Sequence, residues 1–513
     1  MPEVVVVGAG FAGLAAACHL AHEGAGVTVV ERHDQPGGRA RTWEQDGFRF
    51  DMGPSWYWMP DVFERFFATF GRRQRDLYPL KRLDPSYRVV WPGGRAWDVP
   101  AGLPALRTFF DEVDAGAGAA LDRFIAQTKY IYEAAYEDYL FRPSLSFFEF
   151  VDPRLVRELF RLKMLRSMHA YARSFFSHEK LARLVEWPVL FLGASARETS
   201  AMYGLMSYAD MVLGTWYPEG GMHRVIEAIV GVARDLGVTF RLGESVTQID
   251  IAAGRATGLT TATGERLNAD AVLAAADYHH VEQRLIREPR HRQYDEKYWS
   301  SRTMSPSSLL FYLGIEGDLG DDPVHHTLFF DEDLDQHMDE VYGAPRWPRA
   351  PLFYACAPSV TDDSVAPAGC SNLFLLVPLA PGLPDDDDAR ERIYDQVMGR
   401  LERHLGRPLR ARVRVRRSYA MRDFERDYHA FRGNAYGMAN TLRQTGPLKP
   451  RLRSSKVDGL YFAGQLTVPG PGMPPSLVSG ELSARVLLDD LGGAAVRSGQ
   501  LAERRRAGPA VSA

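Results

Sequence analysis

This sequence predicts an α/β fold divided into subdomains, on three observations: the chain's length, a strand–turn–helix–strand pattern at its start, and a strand–loop–helix unit near its end. At 513 residues the chain exceeds what one compact core holds, so two or three subdomains are expected. Hydrophobic residues make up 45% of it and charged residues 25%, the balance of an ordinary folded protein. A net charge of -4 gives no basis for a nucleic-acid partner. Three cysteines (Cys18, Cys356 and Cys370) make neither a disulfide framework nor a CxxC pair.

The opening, "EVVVVGAGFAGLAAACHLAHEGAGVTVVE", carries the first unit. Val4–Val7 is a continuous β-branched run, as a strand buried on both faces requires. Gly8, Gly10 and Gly13 follow as G-x-G-x-x-G, with Phe11 and Ala12 opening the helix. The first glycine makes the turn, the second lets backbone approach a pyrophosphate, and the third lets helix and strand pack closely. Free N–H groups and the positive dipole end at the helix N-terminus suit phosphate. Glu31 ends the second strand, where a carboxylate accepts hydrogen bonds from a ribose. Together these parts point to a dinucleotide.

Gly37, Gly38 and Arg39 come next, in "PGGRARTWEQDGFRFDMGP". By itself such a stretch reads as a surface turn with a solvated arginine. Placed just after Glu31, it brings more backbone and a planar cation within reach of a phosphate. Near the far end, "LYFAG" (460–464), "GPGMPP" (470–475) and "SLVSGELSARVLLDDL" form the strand, stiff loop and helix. Glycine supplies unusual backbone angles there, and proline favours a first helical turn.

The GG-R doublet resembles the one that marks FAD proteins of the amine oxidase and carotenoid desaturase superfamily. "GFRFDMGPSWYWMPDVFERFF", "YPEGGMHRVIEAIVGVARDLGVTFRLGESVTQI", "SYAMRDFERDYHAFRGNAYGMANTL" and "GLYFAGQLTVPGPGMPPSLVSG" are similar, in this order, to bacterial-type phytoene desaturases. The resemblance implies a Rossmann-like, glutathione-reductase-like FAD-binding domain, a mixed β-sheet substrate domain and a helical substrate- and membrane-binding subdomain. It implies FAD held by Gly8, Gly10, Phe11, Ala12, Gly13, Glu31, Arg32, Gly38, Arg39, Gly53, Pro54, Ser55, Val246, Gly464, Gly472, Met473 and Pro474. Val246 would meet the adenine end through its backbone, and Gly464 would end the last strand beside the flavin. The helix beginning at Pro474–Ser476 would stabilise negative charge on reduced flavin. The implied activity is the introduction of double bonds into a long polyene such as phytoene.

These anchors divide the chain into a discontinuous cofactor domain (1–75, 217–285 and 455–491), a helical region (76–216), a mixed α/β region (286–454) and a disordered tail (492–513). No apolar run has the length of a membrane span, and the N-terminus does not read as a signal peptide, so the expected place is the cytoplasm. The polyene substrate implies peripheral contact with the inner face of the cell membrane. "RLVRELFRLKMLRSMHAYARSFF" (154–176) suits either a helix on an anionic membrane surface or a buried helix with solvated arginines. His279–His280 and His325–His326 are adjacent pairs, expected to point apart and not to share a metal, and no metal site is expected. The missing second dinucleotide motif points to oxygen or a quinone as electron acceptor.

Four readings follow. A phytoene-type desaturase leads; a carotenoid 3,4-desaturase or flavin-dependent isomerase of the same fold comes next, then an amine oxidase. The fourth, from another class, is a non-catalytic prenyl-lipid escort, against which the flavin-holding residues count. No residue of the sequence identifies itself as the catalytic base.

Overall fold

The computed structural model describes residues 1–134, 136, 140–143, 166–192, 195–441 and 444–506. Strand β1 (Glu3–Val7), helix α1 (Phe11–His22) and strand β2 (Gly26–Val30) follow one another as the opening pattern predicts. β1 is the central strand of a five-stranded parallel sheet ordered Leu460–Phe462, Ala271–Ala274, β1, β2, Thr239–Arg241. Segments from the start, middle and end of the chain thus share one sheet. Both faces of β1 are covered. Val4 and Val6 join the core around α1, and Val5 and Val7 join one with Ile249, Leu259 and Tyr278. That double burial is why the run is continuously β-branched.

A seven-stranded mixed sheet forms the second layer system, in the order Val413–Tyr419, Ser307–Glu316, Cys370–Leu379, Phe353–Cys356, His326–Phe329, Tyr87–Val90, Ala96–Val99. One face packs Leu309, Phe311 and Leu313 on Ile393, Val397 and Leu401 of the Asp387–Leu405 helix. The other faces the cofactor domain, and the Tyr312 hydroxyl donates to the Met52 carbonyl at 2.8 Å.

Two expectations need correction. The span 76–216, read as helical, begins with strands: Leu80–Arg82 pairs with Trp216–Pro218, and Tyr87–Val90 and Ala96–Val99 complete the seven-stranded sheet. Four-residue strands carry too little alternation to stand out beside the helices that follow, Leu103–Val113 and Ala117–Ala134. The closing helix runs from Met473 to Arg506, past the expected start of the tail at 492. Of the stretch that extends it, "QLAERRR" consists of strong helix formers, while the glycines of "GGAAVRSG" before it are weak ones. Residues 507–513, and most of the basic stretch 154–176, lie outside the described residues. Among those described, no helix is long and apolar enough to cross a membrane.

Glycine sets how closely these parts approach. A Cβ on Gly13 would sit 1.9 Å from the Gly8 carbonyl oxygen, and one on Gly480 would sit 2.2 Å from that of Ala12. α1 is therefore clamped between the β1 turn and the closing helix at distances that only glycine permits. Gly480→Ala should lower the thermal midpoint, since overpacking costs about 1–3 kcal/mol. Gly231→Ala, on the exposed side of the His223–Asp235 helix with nothing within 4 Å of its Cβ position, should raise it by relieving about 0.5–1 kcal/mol. Thermal unfolding of the two variants should show opposite signs for the same added methyl group.

Candidate cofactor and substrate site

A cavity of about 400 Å³ opens along the C-terminal ends of the parallel strands and continues under the seven-stranded sheet. Of the residues expected to hold FAD, Gly8, Gly10, Phe11, Ala12, Glu31, Arg32, Gly38, Arg39, Gly53, Pro54, Ser55, Val246, Gly464, Gly472, Met473 and Pro474 all line it. Gly13 does not. It faces the Gly8 carbonyl instead, so its part is to bring α1 onto the strand.

Each piece is placed by local structure. Gly8 turns the chain at φ 99°, and its amide donates to the Val30 carbonyl at 2.8 Å, tying β1 to β2. Gly10 caps α1, and the Leu14 amide already bonds its carbonyl at 2.9 Å. The amides of Phe11, Ala12 and Gly13 are left as the helix's unpaired donors. Gly10 and Gly38 face one another: a Cβ on Gly38 would come within 3.2 Å of Gly10 Cα. The two glycines thus leave a trough walled by backbone. Gly53 needs to be glycine too, because a Cβ there would lie 2.7 Å from the Arg39 carbonyl oxygen.

Glu31 is buried, and its carboxylate accepts from two backbone amides, Ala9 at 2.8 Å and His33 at 3.0 Å. It therefore braces the turn between β1 and α1, while each oxygen keeps a lone pair for a ligand hydroxyl. Arg39 donates through Nη2 to the Asn434 carbonyl at 3.3 Å, and its buried Nε has no partner. Among the described residues no carboxylate forms an ion pair with it, and burial pulls its basicity below the usual arginine range. Turned to suit its neighbours, the Gln465 amide oxygen accepts from Nη2 at 3.0 Å and Nη1 at 3.3 Å. A half-buried guanidinium with no carboxylate partner, beside a backbone trough at a helix N-terminus, is a fit for a bound pyrophosphate.

The far loop meets the same cavity. Gly464 at φ 118° and Gly472 at φ 116° use angles that favour glycine. The closing helix starts at Met473, and Ser476 N–H bonds the Gly472 carbonyl at 3.0 Å. Pro474 and Pro475 have no N–H, so the first turn offers the cavity the Met473 amide alone rather than a full set of donors. Behind the loop lies Lys449, fully buried, its amine pushed down to about 7 by desolvation. A Cβ on Gly470 would touch its Cε at 3.5 Å.

Several lining residues gave no signal in the sequence. His280, half-buried, and His429, exposed at one edge, stack face to face at 3.8 Å near Arg32; the desolvation of the stacked rings, with the Arg32 cation beside them, lowers them to about 3 and about 4. They lie far apart in the chain, and only the fold makes them a pair. Beyond the glycine trough, the wall changes to Trp56, Trp58, Met206, Leu310, Leu376 and Tyr354. The expectation that adjacent histidines point apart fails for His325–His326, whose rings are 4.4 Å apart. The Phe329-ending strand starts at His326, so strand alternation does not govern His325. With Cys356 they offer one ligating atom each within 4.8 Å of one another.

Comparison with known proteins agrees with this geometry. The family described as flavin containing amine oxidoreductase matches residues 11–488. The carotenoid 3,4-desaturase of Haloarcula japonica is 43% identical, over 95% of this chain and 98% of its own. The zeta-carotene-forming phytoene desaturase of Myxococcus xanthus is 33% identical, over 95% of this chain and 94% of its own. Among solved structures, an oxidoreductase from Methanosarcina mazei superposes with a TM-score of 0.61 at 16% identity, over 93% of this chain and 99% of its own. Cyclohexylamine oxidase from Brevibacterium oxydans gives 0.56 at 16% identity, over 96% and 99%; likenesses at this identity speak for the fold. The glycine trough, the braced carboxylate, the anion-seeking arginine and the long-range relatives converge: this chain belongs to the flavin-containing amine oxidoreductase family, and within it to the carotenoid desaturases.

Proposed function

We propose that the protein is an FAD-dependent desaturase of carotenoids, and that it acts on a preformed polyene in 3,4-desaturation. One observation carries the reading: the flavin-binding trough opens directly into an aromatic and aliphatic pocket walled by Trp56, Trp58, Met206, Leu310 and Leu376. The finer assignment to 3,4-desaturation rests on the closer likeness to the Haloarcula enzyme, 43% against 33% for a phytoene desaturase. Expression in hosts that accumulate phytoene or lycopene, followed by pigment chromatography, tests it. New double bonds from lycopene alone support the 3,4 reading, and from phytoene the other. No new pigment in either host refutes desaturation.

Bound FAD supplies a two-electron acceptor for oxidation of a C–H bond. The chain supplies the rest. Arg39 and the amides at the start of α1 would hold the pyrophosphate, and Glu31 the ribose. The Glu244–Val246 segment would meet the adenine end, and Gly53–Ser55, Gly464 and Gly472–Pro474 the flavin ring. The apolar wall aligns a chain with no polar handle and keeps water from a carbocation formed on it. The same cradle argues against an escort, which would have no use for it. The substrate dissolves in bilayers, so we place the protein on the inner face of the cell membrane, with oxygen or a quinone taking the electrons. Of the stretch 154–176, residues 166–176 are described: Arg166 is exposed, while Met168, Tyr171, Ala172 and Phe176 are buried.

Gly10→Val should remove FAD from the purified protein, because its side chain would fill the trough opposite Gly38; absorbance at the flavin bands checks this. Glu31→Ala should weaken FAD binding by about 1.5–3 kcal/mol per lost charge-assisted bond, read by titration of apoprotein. Met473→Asp sets a negative charge against the start of the closing helix, where dipole effects run to about 0.3–2 kcal/mol. The flavin midpoint potential should fall by up to tens of millivolts relative to Met473→Leu, at about 30 mV per 1.4 kcal/mol, while FAD stays bound.

A further inference from the structure

The base that completes desaturation is not evident from the sequence, and most acid–base groups of the cavity, such as Glu31, His33, His280 and His429, belong to its nucleotide end. The apolar end has one hydroxyl backed by a base. Tyr354 sits on the Phe353–Cys356 strand, which pairs with the His326–Phe329 strand in the register His326↔Cys356 and Leu328↔Tyr354. Its side chain reaches the cavity wall, with its oxygen 2.7 Å from His326 Nδ1 and 3.0 Å from Ser55 Oγ. His326 is fully buried, and its ring is clamped by Trp56, stacked at 4.0 Å and 19°. Its Nε2 has no hydrogen-bond partner.

We infer that Tyr354 is the catalytic proton acceptor of the desaturation and that His326 is the positioning residue that takes up the proton behind it. This rests on the carotenoid desaturase reading above. The phenol has one hydrogen and two neighbours that can accept it, Ser55 Oγ at 3.0 Å and His326 Nδ1 at 2.7 Å; we place it on the Nδ1 side, with the neutral ring's own hydrogen on Nε2. Bound FAD would supply the hydride acceptor, and a substrate carbon that has lost hydride with its electron pair leaves a cation delocalised along the polyene. The neighbouring C–H then loses its proton to the Tyr354 oxygen as the Tyr354 hydrogen moves to His326 Nδ1. The electron pair of that C–H bond becomes the new double bond, and the positive charge passes from the substrate to the imidazole. Burial holds His326 well below the ordinary histidine range, yet a C–H beside a delocalised cation is a far stronger acid than any imidazolium.

The proton has a way onward. The His325 ring lies 4.4 Å from that of His326, its Nε2 is also unpartnered, and its Nδ1 bonds Thr361 Oγ1 at 2.7 Å. A separate cavity of about 20 Å³, bounded by Ser55, His325 and Cys356, has room for one water. Thr361 is partly exposed, and its carbonyl accepts from the exposed Lys81 at 3.1 Å. A chain of polar groups thus links the apolar end of the cavity to the surface without opening that end to bulk water.

The test uses the FAD-loaded enzyme with a carotenoid it converts. Tyr354→Phe should lower kcat by about 100-fold or more, the range of a lost general base, with KM within twofold and FAD content unchanged. His326→Gln should do the same. Without substrate, ¹⁵N spectra of histidine-labelled enzyme should show one buried imidazole with hydrogen on Nε2 and a hydrogen-bonded Nδ1, a signal displaced in Tyr354→Phe. A kcat within threefold of wild type in Tyr354→Phe overturns the proposal and leaves the function standing. So does a hydrogen on Nδ1 of that ring, a finding that holds even if the wild type desaturates no carotenoid. Stoichiometric zinc or copper in the purified enzyme, lost in His326→Gln, also overturns it, because the His325–His326–Cys356 cluster would then be a metal site.

Discussion

The contact on which the structure depends is the approach of α1 to two other backbones at once. Gly13 brings it onto the Gly8 turn, and Gly480 lets the closing helix settle on the Ala12 carbonyl. The first contact aims the helix N-terminus into the cavity. The second carries the chain's final element to the same place, so the start of one helix and the start of another face a shared space. A further helix, Pro60–Thr69, is tied to the closing helix by an ion pair, with Arg65 bonding Glu481 through Nη1 and Nη2 at 2.6 and 2.8 Å. Were either glycine larger, the two helix starts would separate, and the cofactor walls with them.

From that clamp the cavity acquires two chemical characters. Its nucleotide end is polar and backbone-lined, with a braced carboxylate and an arginine that has no carboxylate partner among the described residues. Its far end is aromatic and aliphatic, with Tyr354, Tyr436 and serines as polar contacts. A flavin needs the first and an apolar polyene the second. The seven-stranded sheet joins them, because the Tyr312 bond to the Met52 carbonyl fixes the Met52–Ser55 loop against the substrate layer. At the far end the buried His325 and His326, lowered by desolvation, add hydrogen-bonding capacity without adding charge.

The sequence by itself determined the parts whose chemistry is local. A G-x-G-x-x-G between a β-branched strand and a helix, an acid closing the next strand, and a Gly/Pro loop before a late helix each encode their own geometry. That is why Gly8, Gly10, Glu31, Gly464 and Gly472, the residues of those motifs, line one cavity, while Gly53–Ser55 and Val246 were expected there through the family resemblance. The tertiary structure decided what depends on residues far apart in the chain. It paired His280 with His429, set His325 beside His326, and recruited Tyr87–Val90 and Ala96–Val99 to a sheet otherwise drawn from residues beyond 300. It also placed the Tyr354 hydroxyl on His326 Nδ1 across two paired strands, a contact no spacing announces. Local motifs are legible because backbone angles and hydrogen bonds are set within a few residues. Pairings across the chain are set by burial and sheet register, which only the assembled fold supplies.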